Sequence, residues 1–196
     1  MQGWRSDVWF TRTRLGTSRG MATSSAADRA DDTADDSVAA RFDALVGGLD
    51  YPMFIVTATD GERRAGCLVG FATQCGIDPP RFMVWLSKNN HTHDVARRAG
   101  LLAVHVPTSA DRALAELFGS RTGHEVDKFA LCDWHPGAGG VPVLADCPQW
   151  FVGRVLSRHD TGDHEGFLLD VVDAGEATGG QLSFQDVKDL EPGHEA

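Results

Sequence analysis

The stretch that decides the fold covers residues 65–87 and reads AGCLVGFATQCGIDPPRFMVWLS. An uncharged run with several glycines leads into a rigid Asp78-Pro79-Pro80 turn, and a second apolar run follows. Two strand-like runs joined by a short turn of this kind predict antiparallel neighbours. The small side chains of the first run would let a flat ligand approach the backbone closely, but a barrel strand with a tight bend produces the same pattern.

Strand-like and helix-like runs elsewhere predict the rest of the domain. The chain is expected to form six antiparallel strands and two or three short helices, with no alternation of strand and helix. This mainly β arrangement favours a closed or nearly closed barrel over a doubly wound sheet. Thr92 and Ser109 are predicted to cap the second and third helices. The further strands are predicted at 51–58, 101–107, 149–160 and 165–175, and the helices at 38–48, 92–100 and 109–120.

The composition changes along the chain and predicts its organisation. Residues 1–37 are polar and acidic in their second half, so we expect a disordered N-terminal tail, and Met21 is an alternative candidate for the natural start. Residues 38–178 are predicted to form the folded domain, followed by a C-terminal extension at 179–196. Within the domain, residues 119–142 are predicted to be a long irregular connection rich in glycine and histidine.

Charge and hydropathy exclude several classes of function. The 196-residue chain has a formal net charge of -10, so it has no broad basic surface for nucleic acid or an anionic membrane. No segment reaches the roughly 20 apolar residues of a membrane span, and the first 20 residues lack the apolar run of a secretory signal. We therefore expect a cytoplasmic protein with reduced cysteines. The spacing of Cys132, His135, Cys147 and His124 predicts no metal site.

The best candidate for an anion site is SKNNHTHD at residues 87–94, because the chain contains neither a GxGxxG nor a P-loop motif. A strand is predicted to end there and a helix to begin, with Lys88, Asn90 and Thr92 as donors to a phosphate. Taken alone, a capped helix without a ligand is the better interpretation of this segment.

Taken in order, these segments resemble the flavin reductase-like FMN-binding split barrels. The resemblance covers roughly residues 42–175 and is carried by YPMFIVTATDG, by AGCLVGFATQCGIDPPRFMVWLSKNNHTHDVA, by LLAVHVP, by DKFA and by HDTGDHEGFLLDVV. It implies a six-stranded split barrel. It also implies that FMN, or alternatively FAD, is held by the strand before Asp78 and by the loop before the second helix.

The residues that the resemblance assigns to the cofactor fall in two groups. They are Cys67, Leu68, Val69, Gly70, Phe71, Ala72, Thr73 and Gln74 on the strand, and Ser87, Lys88, Asn90, His91 and Thr92 in the loop. Leu68, Gly70 and Phe71 stand where the commoner pattern has a threonine and serines. Side-chain donors are therefore fewer, and the sequence does not decide between a tightly held flavin and one that exchanges as a substrate.

The resemblance also places His164, in the turn after Gly162 and Asp163, near the flavin and the nicotinamide, as the one predicted catalytic residue. A solvent-exposed turn histidine is the alternative. The implied activity is hydride transfer from NADH or NADPH to flavin, as in the reductase component of a two-component monooxygenase. Two alternatives stay open: a non-catalytic barrel that binds flavin or haem, and an FMN-dependent oxidoreductase with another small substrate. The resemblance further implies a homodimer, with Trp85 or Trp150 on an apolar face.

Overall fold

The computed structural model describes residues 38–193, so the prediction of a disordered tail at 1–37 falls outside the described residues. The chain divides into two compact units, Met1–Asp50 and Tyr51–Ala196. The described part of the first unit contains one helix, α1, at residues 38–46, where the sequence predicts an amphipathic helix. Gly47 and Gly48 follow it, and the Gly47 amide donates to the Asp43 carbonyl at 2.8 Å.

The second unit contains an antiparallel sheet and three short helices. Seven strands form the sheet in the order β2-β1-β5-β8-β9-β4-β3, and β6 and β7 form a separate hairpin. The strands are β1 Phe54–Thr59, β2 Arg64–Val69, β3 Ala72–Gly76, β4 Arg81–Ser87, β5 Leu101–His105, β6 Trp134–Pro136, β7 Pro142–Leu144, β8 Trp150–Asp160 and β9 His164–Ala174. The helices are α2 His91–Ala96, α3 Arg112–Ser120 and α4 Phe184–Val187.

The predicted class, a mainly β antiparallel split barrel, is confirmed, and the main sheet has one strand more than predicted. The run at residues 65–75 was expected to be one strand, but it divides at Gly70 and Phe71 into β2 and β3. These two strands lie at opposite edges of the sheet. The Trp85 amide on β4 donates to the Phe71 carbonyl at 2.8 Å and so continues the β3–β4 ladder by one residue. The two edges are joined by the chain itself at Gly70 and Phe71.

The barrel interior is filled by alternate residues of the strands, as the period of two requires. Val56, Val84, Leu86, Phe167 and Leu169 are at most 1% exposed and belong to one core cluster. Helix α2 contributes Val95 and Ala96 to the same cluster. This helix therefore packs into the barrel with its apolar side.

Two helix starts differ from prediction by one or two residues. Asn90, not Thr92, caps α2, because its side chain accepts the Thr92 amide at 2.9 Å. Thr108, not Ser109, caps the turn before α3, because its side chain and that of Asp111 form a reciprocal capping box. Within residues 38–193 no helix has the length and apolar character needed to cross a membrane.

The predicted irregular connection at 119–142 contains short ordered pieces tied to the barrel. Its last residues enter the β6–β7 hairpin, where Thr57 Oγ1 of β1 donates to the Pro142 carbonyl at 2.5 Å. Beyond the sheet, the Leu182 amide donates to the Pro107 carbonyl and its carbonyl accepts the Met53 amide. The hairpin and residue 182 are thus both hydrogen-bonded to the barrel.

His105 is a fully buried histidine that joins three segments. Its Nε2 accepts the Leu144 amide at 3.0 Å, and its Nδ1 lies 3.0 Å from the Ile55 carbonyl. Because a carbonyl only accepts, Nδ1 carries the hydrogen, and both ring nitrogens are satisfied in the neutral form. Burial lowers the pKa of His105 to about 4. The folded protein therefore needs this ring uncharged.

Replacing His105 with glutamine is expected to flatten the acid side of the stability profile. Between pH 6.5 and 4 the unfolded chain binds a proton that folded His105 does not, so wild-type stability falls as pH decreases, by up to about 3 kcal/mol. Glutamine keeps a donor and an acceptor but does not titrate in this range. Urea unfolding of both proteins at several pH values measures the difference. Parallel profiles would show that His105 does not contribute to acid sensitivity.

Candidate functional site

A cavity of about 410 Å³ opens where the β2–β3 connection, β4 and the β8–β9 turn meet; we call it the aromatic concavity. Its walls are mostly aromatic rings and small residues, a composition that suits a flat ring system. It is lined by Tyr51, Gly70, Phe71, Ala72, Trp85, Thr161, Asp163 and His164.

Trp85 forms one wall because its neighbour on β9 is a glycine. Trp85 on β4 pairs in register with Gly166 on β9. A Cβ atom at position 166 would lie only 2.8 Å from Trp85 Nε1 and 3.1 Å from its Cδ1. The missing side chain thus lets the indole lie against the strand.

His164 lies at the start of β9, directly after the hairpin turn. Its Nδ1 donates to Asp163 Oδ1 at 2.9 Å, because a carboxylate can only accept. This hydrogen bond lowers the pKa of the Asp163 carboxyl. The imidazole also contacts Phe71, edge to face, with the ring centres 5.2 Å apart. Nε2 is the nitrogen left for a ligand.

Strand β2 borders the site with an edge that no described strand covers, since it is the terminal strand of the sheet. Lys128 Nζ donates to the Gly66 carbonyl at 3.0 Å from outside the ladder, so Gly66 turns its carbonyl away from β1. Alternate residues of a strand turn their backbone groups the same way. Leu68 therefore presents its amide and carbonyl groups to the open edge, and Gly70 follows at the bend after the strand.

The loop between β4 and α2 begins beside His164. Ser87 pairs in register with His164, and the Lys88 amide donates to the Asp163 carbonyl at 2.9 Å. The Lys88 ammonium forms an ion pair with Asp160 at 2.7 Å and is thus already neutralised. The loop is fixed to the β8–β9 turn by these contacts.

The end of the same loop differs from the predicted anion site. Helix α2 has six residues, and the Asn90 side chain accepts a hydrogen bond from the amide of Thr92. Thr92 is 1% exposed, and its side chain hydrogen-bonds to the Cys67 thiol, whose pKa burial raises. Asn90 and Thr92 thus serve the folding of the loop, while His91 lines a different cavity, next to Gly66.

The predicted site residues are therefore only partly brought together. Gly70, Phe71 and Ala72 meet His164 in the aromatic concavity, and Ser87 and Lys88 lie beside it. Cys67 and Val69 point into the barrel core, and Leu68 is 7% exposed. Thr73 and Gln74 are exposed on β3 and do not line the concavity.

Four lining residues were not predicted: Tyr51, Trp85, Thr161 and Asp163. Trp85 was assigned only to a dimer face. The pairing of its strand with Gly166 was the signal that could have indicated its role, but that register was not visible before the strands were placed. Among residues 38–193, no group of three or more histidine, cysteine or acidic side chains is placed to hold a metal ion.

Comparison with known proteins identifies relatives of the whole barrel. A family model described as "Flavin reductase like domain" matches residues 46–188. The high molecular weight rubredoxin of Moorella thermoacetica is 34% identical over 132 residues, which cover 64% of this chain and 56% of that protein. The FMN reductase (NADH) RutF of Ancylobacter novellus is 30% identical over 125 residues, covering 63% of this chain and 68% of that protein. The chain thus spans little more than half the length of the first of these relatives.

A solved structure agrees with the fold described above. The FMN-binding protein of Thermus thermophilus, crystallised with bound 1-cyclohex-2-enone, superposes with a TM-score of 0.62 at 28% sequence identity. The match covers 66% of this chain and 72% of that one. The split-barrel topology is thus shared with a solved structure.

Lys128 is expected to stabilise the open edge of β2, and substitution with methionine tests this. Its ammonium is buried and donates to the carbonyls of Gly66 and Phe118, so its loss should cost about 1–3 kcal/mol at pH 7. Burial lowers the pKa of Lys128 to about 8, so the unfolded chain holds more protons than the folded one above that pH. Wild-type stability should therefore rise by about 1 kcal/mol from pH 8 to 9 relative to the variant.

Urea unfolding at the two pH values measures this difference. The buried thiol of Cys147, whose pKa is raised, contributes an opposite slope that both proteins share. The pKa of the Cys67 thiol is also raised by burial, and because the Lys128 charge lowers it, loss of that charge changes the slope in the same direction as the expected difference. Equal slopes in wild type and Lys128→Met would contradict the role given to this ammonium.

Proposed function

Because the chain belongs to the flavin reductase like domain family, we propose that it is an enzyme that transfers hydride from NADH or NADPH to a flavin. FMN is the proposed flavin, with FAD as the alternative. The aromatic concavity would hold the ring system, and the reduced flavin would serve a partner monooxygenase or another acceptor.

The observation that carries this proposal is the aromatic concavity beside the open edge of β2. A flavin ring has two apolar faces and one polar edge, so it needs a flat wall and a line of backbone donors and acceptors. Trp85, seated on Gly166, supplies the wall. Leu68 supplies backbone groups at the open edge of β2. The residues present therefore fit the group.

Bound flavin would be the two-electron acceptor, and the protein would bind the flavin and the nicotinamide nucleotide and orient them. Trp85 and Phe71 hold the ring in place and keep water from its faces. His164 offers Nε2 to the nicotinamide nucleotide or to the flavin edge, and Asp163 fixes the imidazole by accepting from Nδ1. No protein acid or base is needed for the transfer itself, because orientation of the two rings provides the main contribution.

The scarcity of side-chain donors on β2 supports a flavin that exchanges with solution. Leu68, Gly70 and Phe71 offer no hydroxyl to the ligand, so its polar edge depends on backbone groups. Each missing hydrogen bond lowers affinity by about 0.5–1.5 kcal/mol. We therefore propose that flavin acts as a substrate of this enzyme, and that two barrels pair as a homodimer.

Anaerobic mixing of the protein with NADH or NADPH and FMN tests the activity. We expect bleaching of the flavin absorbance with protein in catalytic amounts. The His164→Asn variant should have a kcat/KM for the nicotinamide nucleotide that is about tenfold lower than that of wild type. A protein that binds FMN but does not oxidise NAD(P)H would be a binding module instead. Absence of any flavin binding would contradict both the proposed enzyme and the binding module.

The wall of the aromatic concavity can be tested separately with Gly166→Ala. The added methyl group would displace the Trp85 indole, so the Kd for FMN should rise about tenfold or more. Gly100→Ala is the matched control, because a Cβ at that position meets nothing within 4 Å. Fluorescence titration gives both constants. An unchanged Kd in Gly166→Ala would remove Trp85 from the site.

A further inference from the structure

Another cavity, of about 570 Å³, opens between the end of α2, the middle of β8 and the start of β9; we call it the arginine cavity. It shares no lining residue with the aromatic concavity, and the proposed hydride transfer uses none of its side chains. Charged groups and aliphatic groups both line it. They include Arg97, Arg158, Glu165, Ala99, Val155 and Leu156.

The two arginines supply positive charge that no carboxylate neutralises within residues 38–193. The Arg158 guanidinium donates to the backbone carbonyl of Arg97 at 2.7 Å, which ties β8 to the end of α2. Neither guanidinium forms an ion pair with a described carboxylate. A guanidinium keeps its charge across the neutral range, and its planar fork matches the two oxygens of a carboxylate. An organic acid that enters the cavity would therefore meet two favourable charges.

Glu165 supplies a fixed hydrogen-bond acceptor in the same cavity. Its Oε2 accepts from His93 Nε2 at 2.9 Å, and Nε2 carries the hydrogen because a carboxylate only accepts. His93 is 5% exposed, so the carboxylate is held by a buried ring. The other oxygen, Oε1, has no partner among the described residues. It is available to a donor on a ligand.

The pairing of β8 with β9 sets the spacing between the acceptor and one of the cations. Glu165 pairs in register with Asp160, and Arg158 lies two residues before Asp160 on the same strand. Glu165 and Arg158 are therefore diagonal neighbours on one face of the sheet, which are separated by roughly 7–8 Å. Asp160 itself is engaged by the Lys88 ammonium at 2.7 Å. One small molecule can thus reach both groups.

An aliphatic surface accompanies these polar groups. Leu156 lies where the register of β8 against β9 shifts, between Val155 and Ser157, and it is 47% exposed. Val155 and Ala99 line the cavity beside it. A ligand that covers Leu156 removes apolar surface from water and gains affinity in proportion to that area. The cavity therefore offers an apolar wall as well as charge.

We propose that the arginine cavity binds a small organic acid that carries a hydroxyl group. Its carboxylate would bind Arg97 and Arg158, its apolar body would cover Leu156, and its hydroxyl would donate to Glu165 Oε1. A neutral hydroxyl fits better than an ammonium group, because the two guanidinium charges in the same cavity repel a cation. This site goes beyond the proposed function, since it holds neither the flavin nor the nicotinamide nucleotide.

The test is isothermal titration of the full chain at pH 7, without flavin, with 4-hydroxybenzoate, its methyl ester and benzoate. Wild type should bind the ester about tenfold or more weakly than the acid, because the ester has no charge, and benzoate about threefold to tenfold more weakly, because it lacks the hydroxyl. Arg97→Gln/Arg158→Gln should raise the Kd of the acid about tenfold or more. Arg154→Gln is the matched control, an exposed arginine of β8 that does not line the cavity, and its Kd should equal that of wild type.

Three results would overturn the inference. The first is that the acid does not bind, and the second is that the ester binds as tightly as the acid. The third is that the double arginine variant keeps the wild-type Kd while Gly166→Ala raises it, which would place the acid in the aromatic concavity. Because no flavin or nicotinamide nucleotide is present, each result is independent of whether the protein transfers hydride. Unfolding midpoints check that the variants are folded.

Discussion

The step of the chain from one edge of the sheet to the other, at Gly70 and Phe71, is the constraint on which the rest of the structure depends. The chain itself joins the two edges at that step, and the Trp85 amide, which donates to the Phe71 carbonyl, starts the pairing of the second edge with β4. Within residues 38–193, β2 is a terminal strand of the sheet, and no strand pairs with its outer side. The chain is closely packed at this step, since a Cβ at Gly70 would lie 3.3 Å from Met53 Sδ. The open edge and the aromatic concavity therefore arise from one local feature.

An exposed strand edge can pair with the strand of another chain, and this protein limits its open edge with buried polar groups. Lys128 donates from outside the ladder to the Gly66 carbonyl, and α2 packs against the same strand through the Thr92 contact with Cys67. The end of β2 near Leu68, beside the aromatic concavity, has no such partner among the described contacts. One part of this edge is thus stabilised by packing and hydrogen bonds, and the other part is left accessible to a ligand.

The sequence was sufficient for the fold class because glycine, proline and apolar alternation determine strands locally. The alternation could not show that residues 65–75 form two strands at opposite edges, since a bend at Gly70 depends on distant partners. For the same reason, only part of the candidate site could be predicted. Gly70, Phe71, Ala72 and His164 meet, but Trp85 needs Gly166 opposite it, and that register follows from the pairing of β4 with β9. The burial of Thr92 against Cys67 could not be predicted either, because it is a tertiary contact.

The absence of hydroxyl groups at Leu68, Gly70 and Phe71 bears on the proposed function. A ring held by aromatic faces and backbone groups would gain affinity mainly from its contact area and from few directional hydrogen bonds. Because no side-chain hydroxyl of these residues would have to release the ring, such a site agrees with the proposal that flavin is a substrate that exchanges with solution.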